Sequence, residues 1–307
     1  MANGVKGTGP GRLRGVVSVL TSFFMAGIAL LFAGVARAQE EAAAATQTDA
    51  RLFAPERLNI MLPVILFTLI ILYYINQARQ GKSLFIRNIP GLDAIEEALG
   101  RATEMGKPIL YIPGIDDATN IQTIYSMIIL NHVAKRVAQY ETPLIVPVGK
   151  AIVVPLAEEA VRSGFNAAGR PDSFQSSNIR FLSDEQFAFT AAVNGILIRE
   201  KPAAIIYLGS FFAESLVLAE TGITTGAIQI AGTANIHQLP FFVVACDYAL
   251  VGEEFYAATA YLSREPGLVG TLKATDVMKA IIMATIVLGV ILEQAGFHGF
   301  TAWMQPR

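Results

Sequence analysis

Nine residues in this chain have the type and placement to form a site. They are Gly114, Asp116, Asp117, Gly209, Ser210, Gly232, Thr233, Asp247 and Glu254. Gly209-Ser210 and Gly232-Thr233 are small-residue turns that follow apolar runs. Backbone N–H groups in such turns can hold an anion, helped by the dipole of the following helix. The simpler role for Ser210 is to cap that helix. The carboxylates Asp116, Asp117, Asp184, Asp247, Glu253 and Glu254 could converge to bind Mg²⁺ or to move protons. Acidic residues also favour first helical turns for dipole reasons alone. Asp247 and Glu254 carry the most interest, since they follow the very apolar run Phe241–Ala245.

The standard templates do not apply. These turns contain neither G-x-G-x-x-G nor G-x-x-x-x-G-K-[ST], and the chain has no H-E-x-x-H, no G-x-S-x-G and no Cys/His pairing. Of the three histidines, His132 falls mid-helix, His298 in the C-terminal tail, and His237 in a loop that could reach the same rim. Cys246 is the single cysteine, which rules out a disulfide framework within one chain and reads as a small core residue. No metal site is expected and no cofactor can be named. A net charge of −2 leaves no electrostatic footprint for nucleic acid.

The elements that would position these residues follow from apolar runs alternating with helical patterns. Strands are predicted at Pro108–Pro113, Pro143–Val148, Asn178–Leu182, Ala203–Leu208, Ala227–Ala231 and Phe241–Ala245. Helices are predicted at Gly91–Glu104, Asn120–Tyr140, Val154–Phe165, from Asp184 or Glu185 to Ile198, at Phe211–Glu220 and at Gly252–Leu262. Continuous apolar strands call for burial on both faces, as in a parallel sheet covered by helices. The expected fold is α/β, a doubly wound, mostly parallel sheet of five to six strands with right-handed crossovers. In such sheets ligands bind beyond the carboxyl ends of the strands. That rule gathers the nine residues on one rim. The last two strands are too close in sequence for a full crossover helix, so a short helical turn or an irregular edge strand is expected between them.

Membrane-length apolar segments bracket this domain. The hydrophobic fraction is 53% and the charged fraction only 16%, against about 25% in soluble proteins. Residues 1–38 read as a signal peptide, ending in Ala36-Arg37-Ala38, or as a first transmembrane helix. Residues 39–57 read as an external linker and 58–75 as a transmembrane helix. The α/β domain at 76–265 is expected in the cytoplasm, because Arg79, Lys82 and Arg87 follow the span. Residues 277–295 form a further transmembrane candidate. The expected setting is an inner membrane.

The phrases SLFIRNIPGLDAIEEAL, PILYIPGIDD, GTANIHQLPFF and GEEFYAATAYLS resemble an uncharacterised prokaryotic family of membrane-anchored α/β proteins known only as a domain of unknown function. The resemblance covers roughly residues 83–265 and implies no substrate, cofactor or catalytic residue. Two functions are therefore expected. The first is a non-catalytic scaffold or subunit whose partners are the lipid bilayer, itself or other membrane proteins. The alternative is a small-molecule- or anion-binding domain, enzymatic or not, that uses the rim.

Overall fold

Helix starts and stops follow local chemistry in the computed structural model, which describes residues 58–82 and 89–296. The first apolar segment, the linker at 39–57 and the C-terminal tail with His298 lie outside the described residues. α1 spans Leu58–Arg79 and α2 spans Pro90–Met105. α2 opens on a proline and closes on Gly106 at φ 61°, whose N–H returns to the Ala102 and Thr103 carbonyls. Next come β1 (Ile109–Gly114), α3 (Ile121–Tyr140), β2 (Leu144–Val148), α4 (Val154–Ala167) and β3 (Ile179–Phe181). α5 (Gln186–Glu200) is capped by Glu185, which accepts from the Phe187 and Ala188 N–H groups. β4 (Ala204–Ser210), α6 (Glu214–Thr225), β5 (Ile228–Thr233), α7 (Leu239–Ala245), β6 (Tyr248–Val251), α8 (Glu253–Ser263) and α9 (Pro266–Gln294) complete the chain. From Val64 onward the described residues belong to one unit.

All six strands are parallel, in the order β3-β2-β1-β4-β5-β6. The expected doubly wound α/β fold is therefore present, and its order reverses between β1 and β4. Alternate strand residues feed two cores. Ile109, Tyr111, Val146, Ile206 and Leu250 pack with α2, α3, α4 and α8. Leu110, Ile112, Ile205, Tyr207 and Ala231 pack with α5, α6 and α7 on the other face. Tyr111 is fully buried, and its hydroxyl donates to the Ser126 carbonyl at 2.6 Å. Tyr207 is also buried and donates to the Leu218 carbonyl and to Gln229 Oε1. Burial pushes both phenols upward, so both act as fixed donors.

One strand differs from the expectation. Phe241–Ala245 lies in helix α7, and β6 is the following segment, Tyr248–Val251. Pro240 sits in the first turn, where a missing N–H costs nothing. A five-residue apolar run has no period long enough to distinguish strand from helix. The helix at Phe211–Glu220 is displaced as well. It begins at Glu214 and runs on to Thr225.

α1 and α9 are the two described helices long and apolar enough to cross a membrane, over Met61–Arg79 and Pro266–Gln294. α9 is longer than the expected 277–295 because its first half lies on the α/β domain. The two helices meet where a Cβ on Gly270 would fall 2.6 Å from Ile75 Cα. One turn along the same face, Ala274 is fully buried. Small residues at this spacing are what close helix approach requires.

Candidate functional site

The switch point between β1 and β4 is drawn tight by two glycines. Gly114 has φ 87° and Gly209 φ 149°. A Cβ on Gly209 would overlap the Pro113 carbonyl, and one on Gly114 would overlap Ser210. Both glycines allow backbone to approach backbone, and the Ile115 N–H donates to the Ser210 carbonyl at 3.0 Å.

Around this point the polar side chains pair with one another. Asn120 caps α3 by accepting from the Gln122 N–H at 2.9 Å, and its Nδ2 donates to Asp116 at 2.7 Å. Asp117 accepts from the hydroxyl and the backbone N–H of Thr119. Those bonds, the hydroxyl's foremost, hold its carboxyl below the usual carboxylate range. Gln122 is buried, and its Nε2 donates to Asn235 Oδ1 at 2.9 Å. Its Oε1 accepts from the Ala234 N–H and the Thr233 hydroxyl. Asn235 Nδ2 donates to Ser210 Oγ at 3.1 Å and to the Phe211 carbonyl at 2.7 Å. The ends of β1, β4 and β5 and the start of α3 are thus tied by one amide-centred network. A satisfied buried network of this kind rigidifies the site it fills.

Beside it, the fully buried carboxylate of Glu214 accepts from the Phe212 N–H at 2.9 Å and from Gln186 Nε2 at 2.5 Å. It also opens α6, where the helix dipole favours a negative charge. Ser215 donates to Gln238 at 2.7 Å and so fastens α6 to the turn before α7. A cavity of about 290 Å³ adjoins the network, lined by Phe211, Phe212 and Ala234–Gln238.

The nine predicted residues divide. Gly114, Asp116, Asp117, Gly209, Ser210, Thr233 and Glu254 lie at the carboxyl end as expected. Ser210 does not cap a helix. It is the last residue of β4, three residues intervene before α6, and its hydroxyl takes Asn235. Gly232 is not in a turn but within β5, where a Cβ would meet Leu208 at 2.5 Å and Leu250 at 3.1 Å. Its role is close packing of strands. Asp247 leaves the rim altogether. With Phe241–Ala245 helical, Asp247 precedes β6 and lies at the amino edge, where it accepts from the Gln229 N–H at 2.8 Å. Glu254 stands in the first turn of α8, half-buried.

Gln122, Asn235 and Glu214 hold the rim together and were missed in the sequence. Uncharged amides match no motif. Glu214 lay inside a predicted helix. The available signal was Gln122's position, two residues after a capping Asn.

Among the described residues no three or more His, Cys, Asp or Glu side chains gather as a metal set. Cys246 is half-buried, and burial, reinforced by the Asp247 charge, pushes its thiol up to about 12. A thiol held so far up is a poor nucleophile at neutral pH. The strand order is that of dinucleotide-binding folds, but the first turn reads Gly114-Ile115-Asp116-Asp117. Two carboxylates there oppose a phosphate.

A search of curated proteins and a search of solved structures each returned no match. Residues 48–304 match the family model of a domain of unknown function, DUF6754. That span includes both long apolar helices and the whole sheet, and the chain belongs to this family.

Proposed function

We propose that this protein is a membrane-tethered, non-catalytic scaffold. In this reading its α/β domain lies on the cytoplasmic side of a bacterial inner membrane. α1 and the end of α9 hold it there, and it assembles with copies of itself or with other membrane proteins. The basic residues Arg79, Lys82 and Arg87 after α1 support that orientation.

The observation that carries the reading is an exposed apolar face on α6 and α7. Phe212 and Leu216 lie one turn apart and are 45% and 43% exposed. Ile236 is 76%, Val244 87% and Phe241 39% exposed. The Ser215–Gln238 hydrogen bond fastens α6 to the turn before α7, and Phe212 and Ile236 line one cavity between them. Apolar patches of this kind mark interaction sites. The ligand-binding alternative stands second, because the side chains of Gln122, Asn235, Ser210 and Thr233 on the rim are engaged with each other.

Native mass spectrometry of the full-length protein, extracted gently from its membrane, tests this. Multimeric or partner-containing masses are expected, and their loss in F212E/V244E would place the contact on this face. A monodisperse monomer without partners overturns the scaffold, and a defined small added mass would return the argument to the rim.

A further inference from the structure

We propose that the groove between α3, α8 and α9 seats the acyl chain of a bilayer lipid; this rests on the membrane tethering inferred above.

The path of α9 sets the groove's position. α8 begins at the carboxyl edge of the sheet, since the Gly252 N–H donates to the Thr233 carbonyl at the end of β5. α9 returns along α8 in the opposite direction. Leu268 and Leu272 share a groove with Tyr256 and Ala260, and Lys279 then forms an ion pair with Glu253 at the head of α8. By Lys279 the helix has therefore reached the carboxyl edge. Ala280–Leu292 continues beyond it for about 20 Å at 1.5 Å per residue. Most of its side chains are exposed, Ile286 at 61% and Ile291 at 58%. The helix that walls the groove is thus the helix that leaves for the bilayer.

The lining fits hydrocarbon. The groove measures about 420 Å³, and Ile121, Tyr125, Tyr256, Leu268 and Leu272 are among its lining. The rings of Tyr125 and Tyr256 meet edge to face at 5.2 Å. The hydroxyls of Thr271 and Thr275 are spent on their own helix, donating to the Gly267 and Thr271 carbonyls. The Glu253 carboxylate at the end of the groove is paired with Lys279. These polar groups make no demand on an occupant, and an acyl chain makes none on them. A peptide helix fits less well, because a cylinder roughly 10 Å wide fills such a volume within about one turn.

The test uses the full-length protein in phosphatidylcholine liposomes doped with a phosphatidylcholine that carries a diazirine on one acyl chain. After irradiation, adducts are mapped by peptide mass spectrometry. Adducts are expected on Tyr125, Tyr256 or Leu272 in addition to those on residues 280–292. In T271W an indole placed from an exposed position fills the groove, and groove adducts should fall at least fivefold while those on 280–292 persist. Adducts on 280–292 with none in the groove overturn this proposal and leave the tether standing. Groove adducts unchanged in T271W also overturn it. Absence of adducts on 280–292 and on α1 overturns the tether itself.

Discussion

Gln122 and Asn235 are 113 positions apart in sequence, yet their side-chain amides are joined at 2.9 Å, Gln122 Nε2 donating to Asn235 Oδ1. That bond closes the space between α3 and β5 in which an open α/β sheet ordinarily receives a ligand.

Asn235→Ala removes the partner of Gln122 and of Ser210 together. A buried donor or acceptor left unpaired costs about 1–3 kcal/mol. The expected outcome is a lower thermal midpoint in detergent with unchanged helical content. If the midpoint does not move, the network is not structural and the rim is open to ligands.

Gly209→Ala should be among the most damaging single changes in the chain. It forces a Cβ into the Pro113 carbonyl at φ 149°, and steric conflict combined with backbone strain puts the cost at about 4 kcal/mol or more. Gly226 is also left-handed, at φ 69°, but a Cβ there meets nothing within 4 Å. Gly226→Ala should cost only about 1–2 kcal/mol. Comparing the folded yield and midpoint of the two variants separates crowding from conformation. Equal losses would contradict the packing described at the switch point.

Gly270→Ile should force α1 away from α9, since even a methyl group at Gly270 falls 2.6 Å from Ile75 Cα. Spin labels at Leu72 and Lys273 should report a longer and broader distance distribution in the variant. An unchanged distribution would mean that the helices do not touch there in the membrane.

Glu96 links α2 to α3 by accepting from Arg136 at 2.9 Å and bonding His132 at 3.0 Å. The His132 hydrogen bond and then Arg136 hold its carboxyl below the ordinary value, against an opposing effect of burial. A depressed carboxyl adds stability that is complete above its unfolded pKa and is lost as pH falls through its folded pKa. Thermal midpoints measured from about pH 6 down to pH 3 should therefore fall less steeply in Glu96→Gln than in the wild type, a window set by the ordinary carboxylate pKa near 4.3. Parallel curves would rule out the linkage. The group is partly exposed, so the difference should shrink in high salt.

Strands β1, β2, β4 and β5 were legible in the sequence because each is a short apolar run buried on both faces and flanked by helical patterns. The last strand was not. Phe241–Ala245 is more apolar than Tyr248–Val251, and the apolarity of a run says nothing about its period when the run is five residues long. That single displacement carried Asp247 from the rim to the opposite edge. Gly232 was misread because a glycine in a strand and a glycine in a turn look alike until the neighbours are known. Leu208 and Leu250 are those neighbours, and they come from other strands. Gln122 and Asn235 acquire meaning only through contact, which no local pattern encodes.

α9 contains no proline beyond its first residue and runs unbroken for 29 residues, a rod of about 44 Å. The Lys279–Glu253 pair lies near its midpoint, so the half that walls the groove and the exposed apolar half are one stiff body. A displacement imposed on Ile286 or Ile291 therefore reaches Leu272 through unbroken helix, with no proline hinge between them to absorb it.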